Sequence, residues 1–185
     1  MTMERNKMGM LLFVASESVF FALLIANYIF YNHPADRAVS GAQLLHPLKS
    51  GVFSVALLSS SLTMHFAGLN AQRRRLWRVG WWLAATLALG AVFLVGQGAE
   101  YLQLLRERVT ISRNMFGTTF FTLTGFHGLH VFLGLALLAV LLGLALCGRE
   151  REPSAAAVDA VSIYWHFVDA VWLVIFSVIY LWAFL

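Results

Sequence analysis

The chain has 185 residues, of which 60% are apolar, 14% are aromatic and only 12% are charged, with a formal net charge of +4. A charged fraction about half the roughly 25% of soluble domains excludes an ordinary water-soluble protein, and the apolar content excludes a disordered one. The single cysteine, Cys147, excludes an intramolecular disulfide and thiolate-held metal clusters. In a membrane protein a small basic excess usually records orientation, so nucleic-acid binding is not expected.

Five apolar runs are long enough to cross a membrane. About 20 helical residues span a hydrocarbon core of roughly 30 Å, and none of the runs contains a proline. The first run is far longer than the apolar core of roughly 7–15 residues in a signal peptide, so we expect it to be retained. The predicted fold is an all-α membrane protein, a single five-helix transmembrane domain over residues 1–185. The predicted helices cover 8–31, 51–69, 79–101, 116–147 and 160–184.

Basic residues near the helix ends predict the orientation, because they resist translocation and collect on the cytoplasmic side. Four arginines, at positions 73, 74, 75 and 78, mark the second connection as cytoplasmic. Alternation then places the N-terminus and the 148–159 connection inside and the C-terminus outside. Tryptophans close to the predicted helix ends are expected to anchor the bundle at the interfaces. They are Trp77, Trp81, Trp82, Trp165 and Trp182.

Six ionisable side chains within the apolar runs are candidates for a functional role, because each costs on the order of a few kcal/mol there unless it has a partner. Glu17 lies about 13 Å into the first helix by the 1.5 Å rise per residue, too far to reach water. Phe13, Phe20 and Phe21 share its face, so desolvation favours the neutral carboxyl. A hydrogen bond to a neighbouring helix and a proton-handling or lipid-contacting role both stay open. The six are Glu17, Glu100, His127, His130, His166 and Asp169.

Two pairs of these residues have the same spacing. His127 and His130 are three residues apart on the fourth helix, as are His166 and Asp169 on the fifth, so each pair shares a helix face. Two histidines with a carboxylate would suit iron or zinc, and histidines on two helices could clamp a haem. The alternative is hydrogen bonding between helices, with His166 and Asp169 orienting each other and the other pair meeting polar groups on a neighbour.

Small residues indicate that helices pack closely against one another, and they give no information about catalysis or ligand binding. Gly117, Thr124 and Gly128 form a stripe of small residues on the fourth helix, and several serines give the second helix small side chains in the same way. Corresponding halves with broken helices, typical of transporters, are absent from the sequence, as are phosphate-binding loops, serine nucleophile motifs and dinucleotide fingerprints. A stand-alone enzyme is therefore not expected. The serines are Ser50, Ser54, Ser59, Ser60 and Ser61.

Four stretches of the chain carry a specific motif pattern. The most specific are FGTTFFTLTGFHGLHV at 116–131 and YWHFVDAVW at 164–172. They are accompanied by MGMLLFVASESVFF at 8–21 and by QGAEY at 97–101 with TIS at 110–112. Together these stretches resemble subunit III of the haem–copper oxidases, most closely that of cytochrome c oxidase. The resemblance covers nearly the whole chain and is closest to the short, five-helix bacterial form.

The resemblance implies a non-catalytic core subunit that packs on the haem-bearing subunit I, with subunit II in the same complex, in a bacterial plasma membrane. It implies support of proton uptake, slower turnover-linked inactivation, and bound structural phospholipids that guide oxygen inward while the complex reduces oxygen to water. Haems and copper are implied only in the partner subunits, so no metal ligands are expected in this chain. Glu17 corresponds to the family's carbodiimide-reactive buried carboxylate. Structural or lipid-related roles are implied for Glu100, His127, His130, His166 and Asp169.

Other interpretations stay open from the sequence. The nearest are the corresponding subunit of a quinol oxidase and the subunit III-like protein of nitric oxide reductase. A membrane anchor that binds haem through His127 or His130 together with His166 belongs to a different class. A proton-coupled transporter built on Glu17 and Asp169 ranks last.

Overall fold

A computed structural model of the chain describes residues 2–32, 47–108, 115–147 and 153–181. Within these residues the chain forms helices and no strand. The fifth helix continues into a π-helical turn, Ser177–Leu181. The predicted motif at 110–112 and Trp182 lie outside the described residues. The helices are α1 Thr2–Tyr31, α2 Pro47–Gln72, α3 Leu76–Arg106, α4 Met115–Leu146 and α5 Ala155–Phe176.

Each helix is long and apolar enough to cross a membrane, which confirms the predicted five-helix transmembrane fold. The spanning stretches contain 25 to 32 residues, and at 1.5 Å per residue even the shortest exceeds a hydrocarbon core of roughly 30 Å. The helices extend beyond the predicted apolar runs: α1 begins at Thr2 and α5 at Ala155. At α5, Ser154 is the N-cap, and its hydroxyl accepts a hydrogen bond from the backbone N–H of Ala157.

The packing places α5 between the other helices. α5 packs against α1, α2 and α4, while α2 and α3 form the most extensive pair and α3 also packs on α4. α1 lies on α4 and α5, and most of its apolar side chains are exposed on the surface of the bundle. An ion pair between Lys7 and Asp159, at 2.8 Å, joins the beginnings of α1 and α5.

Trp165 lies in the centre of the bundle, which makes its predicted role as an interfacial anchor wrong. Its side chain is completely buried, and its indole N–H donates to the hydroxyl of Ser60 at 2.9 Å. The ring lies between Gly90 on α3 and Gly134 on α4, where a Cβ atom on either glycine would come within 2.8 Å or less of it. Trp77 and Trp81, by contrast, are exposed near the start of α3, as predicted.

The turn between α2 and α3 is held by backbone hydrogen bonds. The N–H of Arg74 donates to the carbonyl of Ala71, and the N–H of Arg75 donates to that of Asn70, which together form a Schellman motif. Arg74 has a φ of 52°, a conformation in which glycine is the usual residue. The arginine-rich connection predicted from the sequence is therefore a short, ordered turn.

Candidate functional site

Glu17 and His130 meet between α1 and α4. The distance from Glu17 Oε2 to His130 Nε2 is 3.2 Å, and His130 Nδ1 lies 2.8 Å from the carbonyl oxygen of Phe126. A carbonyl can only accept, so Nδ1 carries a proton and donates it to Phe126. The contact with Glu17 therefore needs one proton between Nε2 and Oε2, either on the carboxyl of a neutral pair or on the imidazole of an ionic pair.

Aromatic rings enclose this pair. Phe21 packs edge-on against the ring of His130, with the two centroids 5.0 Å apart. Tyr164 on α5 donates its hydroxyl to the backbone carbonyl of His130 at 2.9 Å. His130 is buried and Glu17 is only partly exposed, so little water screens the contact between them.

The pair predicted on the fifth helix also finds a partner. Ser61 on α2 donates its hydroxyl to Oδ2 of Asp169, and its oxygen lies 3.0 Å from Nδ1 of His166. Because the single hydroxyl proton goes to Asp169, the histidine must donate to the serine oxygen. The predicted shared face of His166 and Asp169 is thus confirmed, and both side chains meet a third group that the sequence did not single out for hydrogen bonding.

Glu100 is held by two hydroxyl groups from other elements. Ser50 on α2 donates to Oε1 and Tyr180 in the π-helical turn donates to Oε2, each at 2.7 Å. The carboxylate therefore ties α3 to both neighbouring elements. With a hydroxyl group on each carboxyl oxygen, Glu100 has the environment of a structural anchor.

His127 differs from the other five residues. Its ring is completely buried, and neither ring nitrogen has a hydrogen-bond partner among the described residues. It stacks on Trp172 with centroids 4.9 Å apart and meets Phe21 and Phe93 edge-on. The alternative in which both histidines of α4 meet polar groups on a neighbouring helix therefore holds for His130 and, among the described residues, fails for His127.

The packing does not suit a haem or a metal at His127 or His130. Aromatic rings cover His127 on several sides, so a porphyrin plane has no room beside it. Both nitrogens of His130 already contact an oxygen. In the described part of the chain no three His, Cys, Asp or Glu side chains converge as metal ligands do.

Sequence reasoning missed the polar residues that join the helices. Gln97 donates to the carbonyl of Thr124 at 2.8 Å, and the hydroxyl groups of Tyr101 and Thr124 lie 2.7 Å apart. Ser54 accepts a hydrogen bond from the indole N–H of Trp172 at 2.8 Å. The sequence pattern identifies the serines of α2 only as small residues, although buried indole and carboxyl groups need such partners.

The sequence of the chain matches a known protein family along nearly its whole length. A model of the family "Cytochrome c oxidase subunit III" matches residues 2–184, which is almost the entire chain. The chain belongs to the cytochrome c oxidase subunit III family. The resemblance inferred from the four stretches of sequence is confirmed.

Curated relatives within the family give the same result. "Cytochrome c oxidase subunit 3" of Corynebacterium diphtheriae is 39% identical over 181 residues, covering 93% of this chain and 85% of the relative. The protein of that name from a Synechocystis species is 37% identical, covering 94% of this chain and 74% of the relative. A "Probable cytochrome c oxidase subunit 3" of Mycobacterium leprae is 35% identical, with 93% and 85% covered. By family, the chain is thus a multi-pass membrane subunit of an oxidase complex.

Proposed function

We propose that this chain is the non-catalytic subunit III of a bacterial respiratory haem–copper oxidase. It packs directly on subunit I, with subunit II in the same complex, and its N-terminus lies on the cytoplasmic side of the plasma membrane. The family match over residues 2–184 is the observation that carries this proposal. A cytochrome c oxidase is preferred over a quinol oxidase or a nitric oxide reductase because the curated relatives bear that name.

Within the complex, Glu17 and His130 are the groups that we propose handle a proton. The requirement for one shared proton between Oε2 and Nε2 supports this role, since the pair can hold that proton on either atom. Because Nδ1 of His130 keeps its proton on the Phe126 carbonyl, Nε2 is the nitrogen that exchanges one. Such a pair would support proton uptake by subunit I and slow the loss of activity during turnover.

The outer surface of α1 supports a further part of the proposal, the binding of structural phospholipids that ease oxygen entry. The apolar side chains of α1 that are exposed in the isolated chain include Leu12, Val19, Leu23 and Phe30. In a membrane such a surface contacts lipid tails or a neighbouring subunit. The haems and copper that carry out oxygen reduction would all be held by the partner subunits.

A Glu17→Gln variant tests the proton-handling role. Glutamine keeps the size of the side chain but cannot exchange a proton, so the complex should lose activity after fewer turnovers than the wild type. The measurement is oxygen consumption by the purified complex, followed to inactivation. Glu107→Gln is the matched control, because Glu107 is an exposed acid at the end of α3. Equal lifetimes for the Glu17 variant and the control would refute the role of Glu17 without affecting the family assignment.

A further inference from the structure

Two adjoining hollows lie at the end of the bundle where α2 turns into α3. One is an apolar groove of about 280 Å³ between the start of α3 and the end of α4, lined by Trp81, Ala84 and Ala145 among others. The other, of about 510 Å³, is lined by Arg73 and Arg78 together with Trp81. Trp81 lines both, so the apolar groove and the basic hollow adjoin at its side chain.

The segment that lines the basic hollow, residues 66–82, is strongly basic. Residues 66–82 contain four arginines and neither aspartate nor glutamate. Arg73 and Arg78 are exposed, and among the described residues neither side chain makes an ion pair. The side chains that line the hollow therefore favour an anion.

Arg78 lies at an unfavourable end of its helix. Cations are stabilising near a helix C-terminus, which accounts for arginines after α2, but Arg78 lies in the first turn of α3. No acidic residue is in that turn, and the N-cap residue, Arg75, makes no side-chain capping bond. A bound anion would offset both the arginine charge and the positive end of the helix.

We propose that this surface binds one anionic phospholipid. Its phosphate lies between Arg73 and Arg78, and one acyl chain runs along Trp81 into the groove against Ala84 and Ala145. Guanidinium groups bind phosphate with paired hydrogen bonds, and tryptophan favours the level of the lipid headgroups. The site is distinct from the Glu17–His130 pair, and it does not depend on the proposed role of that pair.

The direct test is tryptophan fluorescence of the purified full-length chain, titrated with phosphatidylglycerol that carries brominated acyl chains. Bromine quenches nearby tryptophans, so a lipid in the groove should quench Trp77 and Trp81 to saturation. Brominated phosphatidylcholine should quench without saturation over the same range. Equal saturable quenching by the two lipids would refute the selectivity for an anion. Full displacement by inorganic phosphate would show that the site takes free phosphate, which would overturn the lipid proposal.

Two double variants with the same change of charge locate the headgroup. Arg73→Gln/Arg78→Gln should weaken phosphatidylglycerol binding about 25-fold, roughly 2 kcal/mol at 1.4 kcal/mol per tenfold. Arg74→Gln/Arg75→Gln removes two arginines of the same turn that do not line the hollow, and it should weaken binding clearly less, because neither arginine hydrogen-bonds the phosphate in the proposed site. Equal losses in both variants would show diffuse electrostatics and overturn the site.

A separate variant tests the placement of the acyl chain in the apolar groove. Ala145→Phe fills the space assigned to the acyl chain and should weaken phosphatidylglycerol binding at least tenfold, with unchanged helical circular dichroism. Unchanged affinity would overturn the placement of the acyl chain. The comparison of the two lipids on the wild-type chain needs no variant, so it tests the proposal even where a substitution impairs folding.

Discussion

Replacing Gly134 by alanine should destabilise the bundle, because the indole of Trp165 occupies the space that the new methyl group needs. A Cβ at Gly134 would lie 2.7 Å from Cζ3 and 2.8 Å from Cε3 of that ring. The ring cannot shift to the other side, where a Cβ on Gly90 would lie 2.8 Å from Cη2. Its N–H is also fixed by the hydrogen bond to Ser60.

The magnitude follows from a comparison within α4. Overpacking a core costs about 1–3 kcal/mol, while glycine to alanine in a helix gains about 1 kcal/mol. Gly143 lies in the same helix, and a Cβ added to it would meet nothing within 4 Å. Gly143→Ala should therefore show only the gain in helix propensity, without any overpacking. The gain cancels between the two variants, and the difference between them isolates the overpacking.

The assay is equilibrium unfolding in mixed micelles with increasing dodecyl sulfate, followed by circular dichroism. Gly134→Ala should be about 1–3 kcal/mol less stable than Gly143→Ala, which is about a 5- to 140-fold change in the unfolding equilibrium constant. Free energies of unfolding that agree within about 0.5 kcal/mol would refute the reasoning, since the error of such comparisons is of that size. Such agreement would mean that the indole of Trp165 does not fill the space next to Gly134.

Three further predictions use the polar residues and the lone cysteine. His127→Phe removes two nitrogens that have no hydrogen-bond partner among the described residues, so it should leave the free energy of unfolding unchanged or raise it by up to about 1 kcal/mol. His130→Phe removes two hydrogen-bonding nitrogens and should lower the free energy of unfolding by about 1–3 kcal/mol. A large loss of stability in His127→Phe would contradict the role of His127 as a packing residue. Ser61→Ala should cost about 1–3 kcal/mol in the same unfolding assay because Asp169 loses its donor, and a neutral effect would dismiss that contact. Cys147 is exposed, so in intact cells it should react with a permeant maleimide and not with a sulfonated, impermeant one; labelling by the impermeant reagent would reverse the predicted orientation.

The helices could be predicted because hydrocarbon imposes a strong constraint on sequence. A span must be long, apolar and internally hydrogen-bonded, and this can be read from composition alone. The ends are less predictable. α5 begins at Ala155, five residues before the predicted 160, because Ser154 caps the helix and the charged Asp159 interrupts the apolar run only within it.

The partners of the buried polar groups could not be predicted, because they depend on which helices meet. The shared face of His166 and Asp169 follows from a spacing of three, but Ser61 is more than 100 positions away. The same holds for Glu17 and His130, which are 113 positions apart. The prediction for Trp165 is wrong because a tryptophan near a predicted helix end is usually interfacial, and nothing local shows that two glycines of other helices make room for it.

The association of this chain with an oxidase is tested most directly by isolating the chain, carrying an affinity tag, from its native membrane under mild detergent. The subunits are identified by mass spectrometry, and reduced-minus-oxidised spectra are recorded for the complex and for the separated chain. We expect a haem–copper subunit I in equimolar amount, haem bands in the complex, and none on the separated chain. Recovery without an oxidase partner, or a haem band on the chain itself, would contradict the proposed function.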